Sequence, residues 1–191
     1  MYQALLADTR FHELLLTFDD DLAAGARAAG CPRCGGVLHS ARFRRKPRGG
    51  PVGLGEAHDQ RLSFCCAVEL CRKRMTPPSL RFLGRKVYLG AVVVLVSTMR
   101  HGATAARVRQ LCELVGVSRR TVGRWCVWWR SVFTASPFWR ACSAAFMPPV
   151  DTGRLPASLL ERFAGDAAAR LIALLRWLGP ITGGTVTMHA A

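Results

Sequence analysis

Two short cysteine clusters constrain this chain more than any other feature. "CPRCGG" at 31–36 is followed downstream by "SFCCAVELC" at 63–71. Two thiolates separated by two residues can grip one metal ion, and the glycine that follows permits a tight turn exposing backbone N–H groups to the sulfurs. The second cluster offers three thiols where a knuckle needs two. Pairing Cys66 with Cys71 leaves four residues between them, within the roughly two-to-four range of ligand pairs, whereas Cys65 with Cys71 leaves five. Strand parity points the same way. Leu62, Phe64 and Cys66 would share the apolar face of a hairpin, and Cys65 would point to the other. The expected ligands are therefore Cys31, Cys34, Cys66 and Cys71, around Zn²⁺.

Thirty-one residues separate Cys34 from Cys66, more than the roughly 15–20 of a compact all-cysteine ribbon. The Gly- and Pro-rich stretch "KPRGGPVGLGEAHD" accounts for the surplus as a flexible loop at the tip of a hairpin. His39 and His58 have no partner at ligand spacing and are read as surface residues. Four thiolates leave no open coordination position, so such a metal staples a small module rather than activating water.

The charge is as uneven as the cysteines. Of the 27 Lys and Arg and 12 Asp and Glu, residues 31–86 hold 13 basic and 3 acidic side chains, and 87–130 hold 7 and 1. Residues 1–30 are net acidic, with 2 and 5. A net charge of +15 concentrated mid-chain is the electrostatic footprint of a polyanion partner. Two clusters flank the staple: Arg42, Arg44, Arg45, Lys46 and Arg48, then Arg72, Lys73 and Arg74. On the two arms of one hairpin they are expected to converge into a phosphate-contacting surface.

No basic, apolar, small-residue leader follows Met1, and the most apolar run, "VYLGAVVVLVSTM" at 87–99, is too short for a bilayer. A reducing, cytoplasmic compartment is expected, where cysteines serve metals or cores rather than disulfides. Apolar spacing predicts helices over 5–29, from about Ser79 or Arg85 to Met99, over 104–131 and over 166–178. The expected architecture is mainly α with a small β zinc ribbon. It divides into an N-terminal helix (1–30), the ribbon (31–78), a helical domain (79–135) and a C-terminal helical region (136–191).

"TAARVRQLCELVGVSRRTVGRWCVWWR" at 104–130 carries the sharpest helical signal. Thr104 caps a first helix with Val108, Leu111, Cys112 and Val115 on one face; Gly116 turns, Val117 plugs the corner, and Ser118 caps a second helix. Val122, Trp125, Cys126 and Trp129 form its buried stripe. Arg119, Arg120, Thr121 and Arg124 stay on the outer face near its start, the part of a recognition helix that reaches base edges of double-stranded DNA. Trp128 and Trp139 are read as core.

The order of these features resembles the N-terminal part of bacterial insertion-sequence transposases with a zinc ribbon and a helix-turn-helix. The matching stretches are "CPRCGG" (31–36), "FCCAVELCRKRMTPPS" (64–79), "GAVVVLVSTM" (90–99) and "VGVSRRTVGRW" (115–125). The resemblance covers about residues 31–130 and implies recognition of element-end DNA in the bacterial nucleoid. Such transposases continue into a ribonuclease-H-like domain whose acidic residues hold two metal ions. Here only Asp151, Glu161 and Asp166 follow Arg130. The expectation is a non-enzymatic, sequence-specific DNA-binding factor of a mobile element, with a transposase or other element-encoded protein as partner and a homodimer as a further form. The alternatives are the DNA-binding subunit of a split transposase, and an RNA-binding zinc-ribbon protein.

Overall fold

The computed structural model describes residues 2–84, 86–99 and 104–183. Asp8 divides the expected first helix in two. It accepts a hydrogen bond from the Arg10 N–H, ending α1 (Tyr2–Ala7) and capping α2 (Thr9–Ala28). Phe11, Leu15, Asp19 and Ala23 recur every fourth residue along α2 and are all buried. The first half of this stripe packs into the main core, and the second half meets the cysteine module through Ala23 and Ala26.

Three antiparallel strands follow in the order β1 (Leu38–Arg44), β2 (Gln60–Cys66) and β3 (Arg74–Met75). Leu38 lies opposite Cys66 and Arg44 opposite Gln60, so the long connection does form the hairpin tip. It is anchored rather than free. The Arg48 N–H donates to the Val87 carbonyl, the Leu89 N–H donates back to Arg48, and Gly49 (φ +88°) lies against Val92, where a Cβ would come within 2.9 Å.

The helix expected from Ser79 begins only at Gly90. Residues 79–84 and 86–89 form bends, a turn and an isolated bridge from Phe82 to Leu89 instead, and the polar groups of Ser79, Leu80 and Arg81 serve a buried network described below. Arg85, the other expected start, lies outside the described residues. In α3 (Gly90–Thr98) every residue from Gly90 to Ser97 is buried. A helix apolar all round must be enclosed, and α1, α4 (Ala105–Leu114), α5 (Arg119–Val127) and α8 (Ala167–Trp177) surround it. No helix among the described residues is long and apolar enough to cross a membrane.

The chain continues from α5 through a π-helical segment, Trp128–Phe133, into α6 (Pro137–Cys142) and α7 (Ala157–Leu160). Asp166 caps α8, within the span where a helix was expected. Trp129, Phe133, Phe138, Trp139 and Leu174 share one hydrophobic cluster with α3, so residues 79–135 and 136–183 contribute to a single core. Trp139 is core, but Trp128 is only half-buried.

Candidate metal centre and basic surfaces

The cysteine module has a core of its own: Ala23 from α2, Leu38, Phe64, Cys31 and Cys66. Two turns of similar form carry the thiols. In the first, Cys31 N–H donates to the Gly36 carbonyl and Gly35 N–H to the Cys31 carbonyl; in the second, Cys71 and Arg72 N–H both reach the Val68 carbonyl. The residue after the last cysteine of each turn is left-handed, Gly35 at φ +70° and Arg72 at φ +41°. Gly36 is tightly enclosed: a Cβ there would meet a Val68 methyl at 2.6 Å and the Cys66 and Cys34 sulfurs at 3.3 and 3.4 Å.

The Sγ atoms of Cys31, Cys34, Cys66 and Cys71 all lie within 4.8 Å of one another. Cys31 and Cys71 are 3.7 Å apart and Cys34 and Cys66 3.5 Å. A tetrahedral ion bonded to sulfur at about 2.3 Å sets sulfur–sulfur edges near about 3.8 Å. The four thiols therefore fit one tetrahedral cation, and an all-sulfur tetrahedron suits zinc or iron. The Arg33 and Cys34 backbone N–H groups draw the Cys31 thiol down to about 7, whereas burial pushes Cys66 up to about 12. A bound cation would favour the thiolate form of its ligands and offset the burial that raises Cys66.

Cys65 stands apart from this set. Its sulfur turns to the opposite face of the sheet and donates to the carbonyls of Cys66 and Arg72. His39 is exposed, as expected, but His58 is not a surface residue. It is 3% exposed and stacks edge-on with buried His12, ring centroids 5.8 Å apart. Burial first, then the Arg81 charge, lowers its pKa to about 4.

The basic clusters do not converge. β3 places Arg74 opposite Cys65, at the cysteine end of the hairpin, whereas Arg44 lies near its tip. The five steps along β1 from His39 to Arg44 correspond to about 17 Å. Arg42, Lys46 and Arg72 are exposed, Lys73 is half-buried, and Arg44 shares a loose surface pair with Glu56 at 3.4 Å. Arg45 departs from its expected role. Its guanidinium donates to the Gly84 and Lys86 carbonyls and lies 5.2 Å from the Phe82 ring centre, so it clamps the fold instead of meeting a phosphate.

Three buried charges escaped the sequence reading. Asp19 accepts from Ser79 Oγ (2.5 Å), Leu80 N–H (2.6 Å) and Arg81 Nε (2.8 Å). Arg81 also donates to the His58 and Gln60 carbonyls, and Arg61 to those of Pro77 and Thr182. One signal was present: Asp19 occupies an apolar position of the α2 stripe, where a carboxylate needs a buried partner.

The helix pair is built as its sequence indicates. Thr104 caps α4, Gly116 (φ +60°) turns, and Val117 N–H reaches back to the Cys112 carbonyl. Tyr88 fixes this turn from below: its hydroxyl donates to the Gly116 carbonyl at 2.9 Å and its ring meets Trp125 edge-on. Ser118 caps α5. Val122, Trp125, Cys126 and Trp129 are buried, while Arg119, Arg120 and Arg124 are exposed and Thr121 is half-exposed. Arg124 donates to the Thr121 hydroxyl at 3.1 Å, which holds its guanidinium over the first turn. Comparison with protein-family models, with curated proteins and with solved structures yields no match.

Proposed function

We propose that this protein binds double-stranded DNA through the start of α5 and is stapled by one zinc ion held by Cys31, Cys34, Cys66 and Cys71. The observation that carries the reading is the helix pair. A capped α5 is fixed from behind by Trp125 and Trp129 and presents Arg119, Arg120 and Arg124 outward on its first two turns. A rigid arginine there matches the O6 and N7 acceptors of guanine in the major groove. Arg42, Arg44 and Lys46 near the hairpin tip, and Arg72, Lys73 and Arg74 near its base, are assigned to phosphate contacts.

Zinc is favoured over iron because cysteine pairs in paired turns are the usual frame of structural zinc. The described residues are assigned no strand-transfer chemistry. Asp151 and Asp166 cap helical turns, and Glu161 pairs with Arg154 at 2.9 Å. Together with the sequence pattern this supports a mobile-element accessory or regulatory role. Selection from a random duplex library tests the reading: wild type should enrich a guanine-containing site and Arg120→Ala should lose the preference. Enrichment of structured RNA over duplex would overturn it.

A further inference from the structure

Apart from Arg74 at its edge, the face of the sheet turned away from α2 has no role in the duplex reading. Its residues follow from the register. His39 lies opposite Cys65, Ala41 opposite Ser63, and Phe43 opposite Arg61, and alternation turns all six side chains away from the Leu38–Cys66 face. Two open cavities lie along it. One, of about 680 Å³, is lined by His39, Cys65 and Arg74; the other, of about 600 Å³, by Phe43, Arg61, Lys86 and Trp128. Thr76 borders both, so they adjoin as one groove.

No aspartate or glutamate lines either cavity, although cations line both. Lys86 is held over the Trp128 ring at 3.7 Å and makes no ion pair among the described residues. Burial alone depresses its amine to about 8. Arg61 is 5% exposed, and its Nε has no hydrogen-bond partner although its Nη2 donates to the Pro77 and Thr182 carbonyls. Phe43 is 37% exposed and stacks on no other ring among the described residues. Cations without acids ask for a polyanion, and an open aromatic face asks for a flat partner. An unstacked base supplies the second and its phosphate the first. A duplex hides its base faces, and an acidic peptide has no flat ring to lay on Phe43.

We propose that this face, from His39 and Arg74 at one end to Phe43 and Lys86 at the other, binds an unpaired strand of nucleic acid. Bases stack on Phe43, and the backbone runs past Arg74 and Lys86. The site uses no residue of α5 and stands without the duplex reading.

The test is fluorescence anisotropy of the full-length chain with fluorescein-labelled 12-mers of oligo-dT and oligo-rU, a duplex, and a 12-residue polyglutamate. Both single strands should bind, and the tighter of the two identifies the source. Phe43→Ala should weaken single-strand binding by roughly fivefold or more while Phe43→Tyr restores it. Lys86→Gln should weaken it and flatten its salt dependence. Neither variant should change duplex affinity, and Arg119→Ala/Arg120→Ala should leave single-strand affinity unchanged. Thermal melts check folding; should Phe43→Ala unfold, Lys86→Gln decides. Wild-type single-strand affinity in a folded variant overturns the proposal. So does polyglutamate binding as tightly as the strands, which would make the groove a peptide site.

Discussion

Asp19 on α2 and Arg81, sixty-two residues later, form a 2.8 Å ion pair almost wholly removed from water. The pair ties α2 to the segment that leads into α3, and its remaining hydrogen-bonding groups reach Ser79, Leu80, His58 and Gln60. Asp19→Ala would leave the Arg81 guanidinium buried without its counter-charge, a loss of about 3–5 kcal/mol. Chemical denaturation measures this. Asp19→Leu/Arg81→Met should recover part of the loss, because it removes both charges together.

The neighbouring His12–His58 pair makes acid stability a second test. Both rings have lowered pKa values, His58 to about 4, against an ordinary 6.5. Below 6.5 the unfolded chain takes up protons that the folded chain refuses. Stability is therefore full above that value, falls as pH drops toward 4, and levels off below it. The His58 share is on the order of 3 kcal/mol. Denaturation midpoints between pH 7 and 4 should show a shallower decline for His58→Gln than for wild type.

The cysteine module predicts an opposed pair of backbone effects. Gly36→Ala should lose the metal, since its Cβ would collide with Val68 and press on two sulfurs. Arg72→Gly should raise stability by about 1 kcal/mol, because Arg72 holds a left-handed conformation that costs an ordinary residue energy. Metal content by atomic emission and thermal melts check both.

Metal stoichiometry tests the ligand set. One zinc per chain is expected, lost in Cys31→Ser, Cys34→Ser, Cys66→Ser and Cys71→Ser and kept in Cys65→Ser, whose sulfur faces the other side of β2. A chelator should unfold the module and leave the α3-centred core helical, because the two share no buried cluster.

What was legible in the sequence acts over short distances. Cysteine spacing and strand parity place Cys66 rather than Cys65 among the four close sulfurs; Thr104, Gly116 and Ser118 mark helix ends through contacts with residues three to five positions away. Partner choice across the chain was not legible. Arg61 meets Thr182 from 121 residues away, and Arg45 is spent on the Gly84 and Lys86 carbonyls, so a count of arginines overstated the surface charge. The same nonlocal demand kept residues 79–84 out of the helix, where Asp19 holds Ser79, Leu80 and Arg81. Trp128 packs against the edge of the core rather than within it, where the π-helical turn carries Trp129 and Phe133.

The central claim, that α5 reads bases while the hairpin touches phosphate, is tested most directly by one salt series. Affinities for the selected duplex and for a random duplex are measured for wild type, Arg120→Ala and Arg42→Ala/Arg44→Ala/Lys46→Ala. Arg120→Ala should lose about 1–3 kcal/mol on the selected duplex and little on the random one. The triple variant should weaken both alike and lower the salt slope by about 0.9 per lost contact. Equal losses on both duplexes for Arg120→Ala, or wild-type binding by that variant, would contradict the account.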